Sequence, residues 1–156
     1  MATTDLPVPG PPSIIITFFA VSVAFVAIDK TDSYTSFWSS INTNSWHGAT
    51  LYASQTLKAS DYTNQRTCIL SPQGVNGSLV VQQDVYMYYC LSDTDKAVTY
   101  QTQGNHRRVF IYVIEGQLLI HDRTLTKGDG YGILECEDID LKLLPDAEIL
   151  LFDMAK

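Results

Sequence analysis

The sequence predicts an all-β domain, one antiparallel barrel or jelly roll carried behind a divergent N-terminal extension, and three observations predict it. From Thr67 onward, short runs rich in β-branched and aromatic residues follow one another: TCIL, SLVVQQDVYMYYCL, AVTYQT, RVFIYVIEG, QLLIHD, YGILE, IDLKLL and EILLFDM. Turn signals separate them at Ser71-Pro72, Asn76-Gly77, Glu115-Gly116, Lys127-Gly128-Asp129-Gly130 and Pro145-Asp146, and no helix signal lies between. Many short strands with turns at close intervals make a sandwich or a barrel. The length of 156 residues suits one domain, because a core-bearing domain commonly needs roughly 100 to 150 residues.

The extension reads in two parts. Residues 1–13 carry Pro7, Pro9, Gly10, Pro11 and Pro12, a composition that gives an extended, unpaired tail. Residues 14–49 combine an uncharged run, Ile14 to Ile28, with a connector, Asp29 to Ala49, that is rich in Ser, Thr and Asn and reads as a loop around Phe37, Trp38, Trp46 and His47. The apolar run is shorter than the roughly 20 residues of a spanning helix and has no basic flank of a signal peptide. Three readings stay open for it: a membrane anchor, a buried strand or strand pair, or sequence added at a misplaced start. The barrel itself is expected over residues 50–156.

Charge and cysteines exclude several function classes. Lys plus Arg number 10 against 17 Asp plus Glu, a formal net charge of -7, and the basic residues are scattered, so no nucleic-acid surface is expected. Cys68, Cys90 and Cys136 are far apart and show no Cys-x-x-Cys spacing, which indicates neither a disulfide framework nor a zinc site. Buried thiols in a reducing cytoplasm are the expectation, with a membrane-anchored location through residues 14–28 as its alternative. Asn76-Gly77-Ser78 is a sequon that matters only in a secreted chain, and Asn-Gly is also a turn signal; we read it as a turn.

Within the barrel, Gly116 is expected to make a tight turn between two antiparallel strands, and Gly128 and Gly130 to supply unusual backbone angles at a corner. Asp129 is placed to accept hydrogen bonds from local amides there. These residues lie in the stretch from Arg108 to Tyr131, RVFIYVIEGQLLIHDRTLTKGDGY, which resembles a cupin core. With LSPQGVNGSLVVQQDVYMYYCLSD before it and AEILLFDM after it, the series from Leu51 to Lys156 resembles the C-terminal cupin of pirin-like proteins, the bacterial quercetin dioxygenase-like bicupins. The resemblance implies the RmlC-like fold. It also implies that metal and oxygen chemistry belong to another, N-terminal cupin with three histidines and a glutamate as ligands.

A catalytic cupin brings several imidazoles and one carboxylate to a single metal, from a His-x-His pair, a glutamate and a glycine seven residues beyond that glutamate. Anchored on Gly116, that pattern puts the glutamate position on Val109 and the second histidine on Gly104 or Asn105. Anchored on Gly128, the second motif puts its proline on Leu134, its glycine on Cys136 and its histidine on Ile139. None of these positions supplies the ligand the pattern requires, and no metal cofactor is expected. His106 and His121, with Glu115, Asp122 or Cys136, have no ligand spacing and read as surface histidines; His47 beside Trp46 reads as a packing residue. No Ser, Cys or Thr accompanies a base and an orienting carboxylate in a nucleophile motif.

The remaining candidates concern binding. His106-Arg107-Arg108 is the only local concentration of positive charge and could receive a carboxylate, a phenolate or a partner's acidic patch, set against the plain reading of a solvated strand end. Tyr86, Tyr88 and Tyr112 could line one barrel face with their hydroxyls free for a small aromatic ligand, or serve as rim aromatics. The reading that follows is a non-catalytic pirin-like cupin module. Deprived of the barrel it normally covers, it would expose an apolar face and pair with a second copy or a separately encoded cupin. The alternative is a quercetin 2,3-dioxygenase-like oxidoreductase using Fe, Ni, Cu or Mn on improvised ligands. A remnant of a bicupin that lost its first barrel is a further possibility.

Overall fold

Each expected strand after Thr67 is present in the computed structural model, which describes residues 13–21, 23–30, 33–38 and 51–156, with side chains from Leu57 onward except Ala59 and Cys136. The strands are β5 (Arg66–Ser71), β6 (Leu79–Val80), β7 (Val85–Ser92), β8 (Lys96–Gln101), β9 (Arg107–Glu115), β10 (Gln117–Ile120), β11 (Arg123–Thr126), β12 (Gly130–Cys136), β13 (Asp138–Leu143) and β14 (Ala147–Met154). The run SLVVQQDVYMYYCL, expected as one strand, is broken between Val80 and Val85, because the polar Gln82-Gln83-Asp84 segment turns there. Strand β11 was not expected: His121-Asp122 is its two-residue turn, with Ile120 opposite Arg123. His121 takes the left-handed backbone at φ 51°, a conformation that Asn-Gly would have advertised and His does not.

Ahead of these lie β1 (Ser13–Val21), β2 (Val23–Lys30), β3 (Ser33–Trp38), β4 (Leu51–Lys58) and a helical turn, α1 (Ala59–Tyr62). Of the readings left open for Ile14 to Ile28, the structure has the strand pair: β1 and β2 run antiparallel with Ile16 opposite Ile28. The loop expected from Asp29 to Ala49 is corrected at both β2, which continues to Lys30, and β3, whose Tyr34, Thr35, Phe37 and Trp38 are strand-favouring residues. β4 pairs along β1, so one sheet joins residues on both sides of the boundary expected at 49 and 50. The proline-rich tail to residue 12 and the region of Trp46 and His47 lie outside the described residues. Among the described residues, no helix is long and apolar enough to cross a membrane.

Three sheets result, in the orders β3-β2-β1-β4, β11-β10-β13-β8 and β12-β9-β14-β7-β5-β6. The last two form the barrel. β13, read as DIDLKL, buries Ile139, Leu141 and Leu143 and exposes Asp138, Asp140 and Lys142, the alternation of a sheet wet on one face. β14 lies between β9 and β7 and is buried from Ala147 to Asp153, as a strand covered on both faces must be. Its alternate residues serve two separate cores. Ile149 and Leu151 join Val109, Ile111, Tyr100, Leu118 and Leu141 inside the barrel. Leu150 and Phe152 join Met87, Tyr89 and Ile114 on the outer face, with Leu57 of β4 and Tyr62 of α1.

On that outer face, Met87, Tyr89, Leu150 and Phe152 are all buried within the chain. The β4–α1 segment supplies part of the cover. The exposed large apolar residues among those described are Val75, Val80 and Leu134, each at a different place in the fold.

Two glycine roles also differ from expectation. Gly116 does not close a hairpin, since β9 and β10 belong to different sheets; it is the corner where the chain crosses between them. Its φ is +72°, and a Cβ there would sit 2.5 Å from the Asp146 carbonyl oxygen. Gly130 has an ordinary φ, but a Cβ would lie 2.7 Å from the tip of the Phe110 ring, so it supplies space rather than an angle. Gly128, at φ +87°, and Asp129, whose Oδ2 accepts from the Thr126 amide at 2.8 Å, play the corner roles expected of them. Asn76-Gly77 does make a turn, with positive φ at both residues. It is not a hairpin, because β5 and β6 on either side of it are parallel.

Candidate functional site

Strand parity decides where the six candidate binding residues go. On β9, Arg107 shares the inward parity of Val109 and Ile111 and is 7% exposed, while His106 and Arg108 are exposed on either side of it. The run of positive charge in the sequence is therefore not a patch in space. On β7, Tyr86 and Tyr88 face the barrel interior with Cys90, whereas Tyr112 of β9 packs with the outer core. The expectation of three tyrosines on one face is corrected to two: β9 runs in the opposite sense to β14, which separates it from β7, and residue number alone does not give the facing.

Arg107 is the centre of a buried polar cluster. Its Nε donates to Asp153 Oδ1 at 2.6 Å, one terminal nitrogen donates to Asp84 Oδ1 at 2.8 Å, and the other donates to the Asp153 carbonyl at 3.1 Å. Asp153, fully buried, also accepts from the Tyr100 hydroxyl at 2.6 Å and the Gln103 amide at 2.8 Å. The Gln103 side chain donates to the Tyr88 hydroxyl at 2.9 Å, and the Arg107 guanidinium lies 5.6 Å from the Tyr86 ring centre. A buried charge is tolerable only when paired and hydrogen-bonded, and this one is. The carboxylate that was to come from a ligand is thus supplied by the chain itself. Burial, then hydrogen bonding to Asp153, pushes the Tyr100 hydroxyl far above the usual phenol range.

Asp153, Asp84, Tyr100 and Gln103 were not foreseen. One signal for them was available: an aspartate inside the apolar run EILLFDM has to meet a cation, and Arg107 shares its barrel-facing parity.

The interior beyond this cluster is apolar. Val109 and Ile139, the positions the cupin pattern assigns to the glutamate and the last histidine, are each 1% exposed and belong to the interior core. Leu134 is 72% exposed on β12, Gly104 and Asn105 are exposed, and Glu115 is ion-paired with Lys127 at 2.6 Å. His121 sits on a hairpin turn, its ring 6.2 Å from Tyr131. Among the described residues, no three His, Cys, Asp or Glu side chains converge as a metal site. At the two interior positions the cupin pattern assigns to ligands, Val109 and Ile139 offer no nitrogen or oxygen donor to a metal.

A small cavity of about 20 Å3 opens beside Tyr88, Cys90, Val98, Tyr100 and Leu141. That is room for one water molecule. The Arg66 guanidinium closes its outer side, 5.1 Å and 4.8 Å from the ring centres of Tyr88 and Tyr100. Burial raises the Cys68 and Cys90 thiols above their usual range, so both stand as neutral, free thiols.

Residues 68–154 match the family described as the quercetinase C-terminal cupin domain. The chain is similar to quercetin 2,3-dioxygenase of Escherichia coli strain K12, 32% identical over 94 residues that make up 60% of this chain and 40% of that protein. It thus spans well under half the length of the curated relative it matches. Among solved structures, YhhW from Escherichia coli is alike at a TM-score of 0.65 and 20% identity, over 94% of this chain and 73% of that one. The same bacterial pirin in complex with nickel(II) gives a TM-score of 0.62 at 19% identity, over 92% and 72%. At these identities the structural likeness is one of fold.

Proposed function

This chain belongs to the quercetinase C-terminal cupin domain family, and on that premise we propose that it is a non-catalytic pirin-like cupin module, without a metal site, that acts by pairing with a second copy or with a separately encoded cupin. One observation carries the reading: Val109 and Ile139 stand inside the barrel where the cupin pattern needs a carboxylate and an imidazole. Fe, Ni, Cu and Mn need nitrogen and oxygen donors converging at about 2 Å, and aliphatic side chains offer none. A shared fold does not carry an activity whose donor residues are gone.

Pairing is supported by the N-terminal sheet. β1, SIIITFFAV, and β2, VAFVAIDK, are apolar at both alternating positions of their sequence. Strands of that kind need cover on two faces. The buried free thiols Cys68 and Cys90 support a cytoplasmic location.

The deciding experiment is the metal content of the purified chain by inductively coupled plasma mass spectrometry, after growth with Fe, Mn, Ni, Co and Cu supplied. Background metal is the expected result. Near-stoichiometric metal that survives dialysis would overturn the reading in favour of a quercetin dioxygenase-like enzyme, to be pursued with substitutions at His106 and His121.

A further inference from the structure

Arg66 does something that neither the fold nor the buried cluster requires of it. It is exposed at the start of β5, opposite Cys90 in the register of the sheet, and its guanidinium lies across the faces of Tyr88 and Tyr100 rather than against an acid. No described carboxylate pairs with it. The acids of this region are engaged elsewhere: Asp153 with Arg107, and Asp95 with Lys142 at 3.2 Å.

Both rings beneath Arg66 are fixed. Tyr88 is held through its hydroxyl by Gln103, Tyr100 through its hydroxyl by Asp153, and the two meet edge to face with centres 5.5 Å apart. Below them the cavity wall is made of Cys90, Val98, Leu141 and Ile149. The charges that act on the Cys90 thiol against its burial are Lys96 and Arg66, both cationic. The mouth therefore combines an aromatic floor, an apolar well and a guanidinium whose hydrogen-bonding edge meets no acid among the described residues.

We propose that this mouth binds a small planar aromatic carboxylate, its ring on the Tyr88 and Tyr100 faces in the place the guanidinium now takes, its carboxylate on the edge of the displaced Arg66. The two tyrosine faces that hold a guanidinium can hold an aromatic ring in its place, and the freed guanidinium forms a two-pronged pair with the carboxylate. The cavity as it stands holds only one water, and the ligand seats as Arg66 lifts from the tyrosines. Neither oligomeric state nor metal content enters this inference, so it stands or falls separately from the proposed function.

The test is a methyl NMR titration of the full chain with benzoate, benzyl alcohol and acetate, repeated on R66Q and R66K. Benzoate is expected to give saturable shifts confined to the methyls of Val98, Leu141, Ile149 and Leu151. Affinity should fall about tenfold in R66Q, the loss of one charge-assisted pair, and by less in R66K, which keeps the charge without the fork. Benzyl alcohol should bind more weakly than benzoate, and acetate should leave these methyls unmoved. No saturable shift with millimolar benzoate, shifts elsewhere, unchanged affinity in R66Q, or equal binding of benzyl alcohol or acetate would each overturn the proposal. The ligand series on the unaltered chain decides the matter even if R66Q fails to fold.

Discussion

Arg107 and Asp153 show what one buried ion pair does in an otherwise apolar barrel. Their attraction is set against a large desolvation cost, so the pair is a weak source of net stability, yet removing either partner strands the other. R107A is expected to lower the unfolding free energy by about 3–5 kcal/mol. D153N should cost a comparable amount, and the double variant less than the sum because the sites share one network. Urea denaturation of the three variants checks this. Buried thiols and phenols set a pH dependence as well. Burial raises Cys68 and Cys90, and burial with hydrogen bonding to a carboxylate raises Tyr89 and Tyr100. The folded chain keeps protons that the unfolded chain releases, so these groups stabilise it fully below their unfolded values and lose that contribution as the pH rises past them. The urea midpoint should therefore start to fall above about pH 8.5 for the thiols and more steeply above about pH 10 for the phenols. Y100F should flatten the second fall while costing about 1–3 kcal/mol at neutral pH, because Asp153 loses a donor.

Strand order and corners belong to the scale of elements, where sequence legibility was uneven for identifiable reasons. β13 and β14 were readable because alternation and continuous apolarity each announce a strand. β11 was not, because RTLT is short and its turn is made by His121-Asp122, without glycine or asparagine. The position of Gly116 was legible and its role was not: a tight turn and a crossing between sheets ask the same φ of the residue, and only the 2.5 Å approach to the Asp146 carbonyl separates them. G116A combines a positive φ with a backbone collision and should cost more than the roughly 1–3 kcal/mol of a strained angle alone. G130A differs, since it collides with a side chain that can be shortened. It should cost about 1–3 kcal/mol from overpacking, and most of that loss should return in the double variant G130A/F110L. A thermal-melt cycle over these variants distinguishes space at Gly130 from angle at Gly116, and failure of F110L to rescue would sink the spatial account.

The whole molecule sets two cores back to back across the six-stranded sheet, one inside the barrel and one between that sheet and the β4–α1 segment. The barrel was legible because its strands and corners are local signals. The outer core was not, because its cover comes from Leu57 and Tyr62, ahead of the first expected strand, and because the burial of Met87, Leu150 and Phe152 is a long-range fact. The candidate site followed the same division: the apolar ligand positions Val109 and Ile139 could be read along the chain, whereas the pairing of Arg107 with Asp153, 46 residues away, could not. Since the six-stranded sheet already has its cover, a partner has to be sought by way of β1 and β2, whose sequences are apolar at both parities. A companion held by such strands is held by apolar contact, which salt does not screen, unlike association through the net charge of -7. Sedimentation at low and at roughly 1 M salt should therefore show a dimer whose dissociation constant is unchanged or tighter at high salt. F18S and F25S, on β1 and β2, should shift it to monomer while R108E leaves it intact. A monomer at every concentration would remove self-pairing and leave the separately encoded cupin, whereas a dimer that salt dissolves would move the interface to charged surface and away from this sheet.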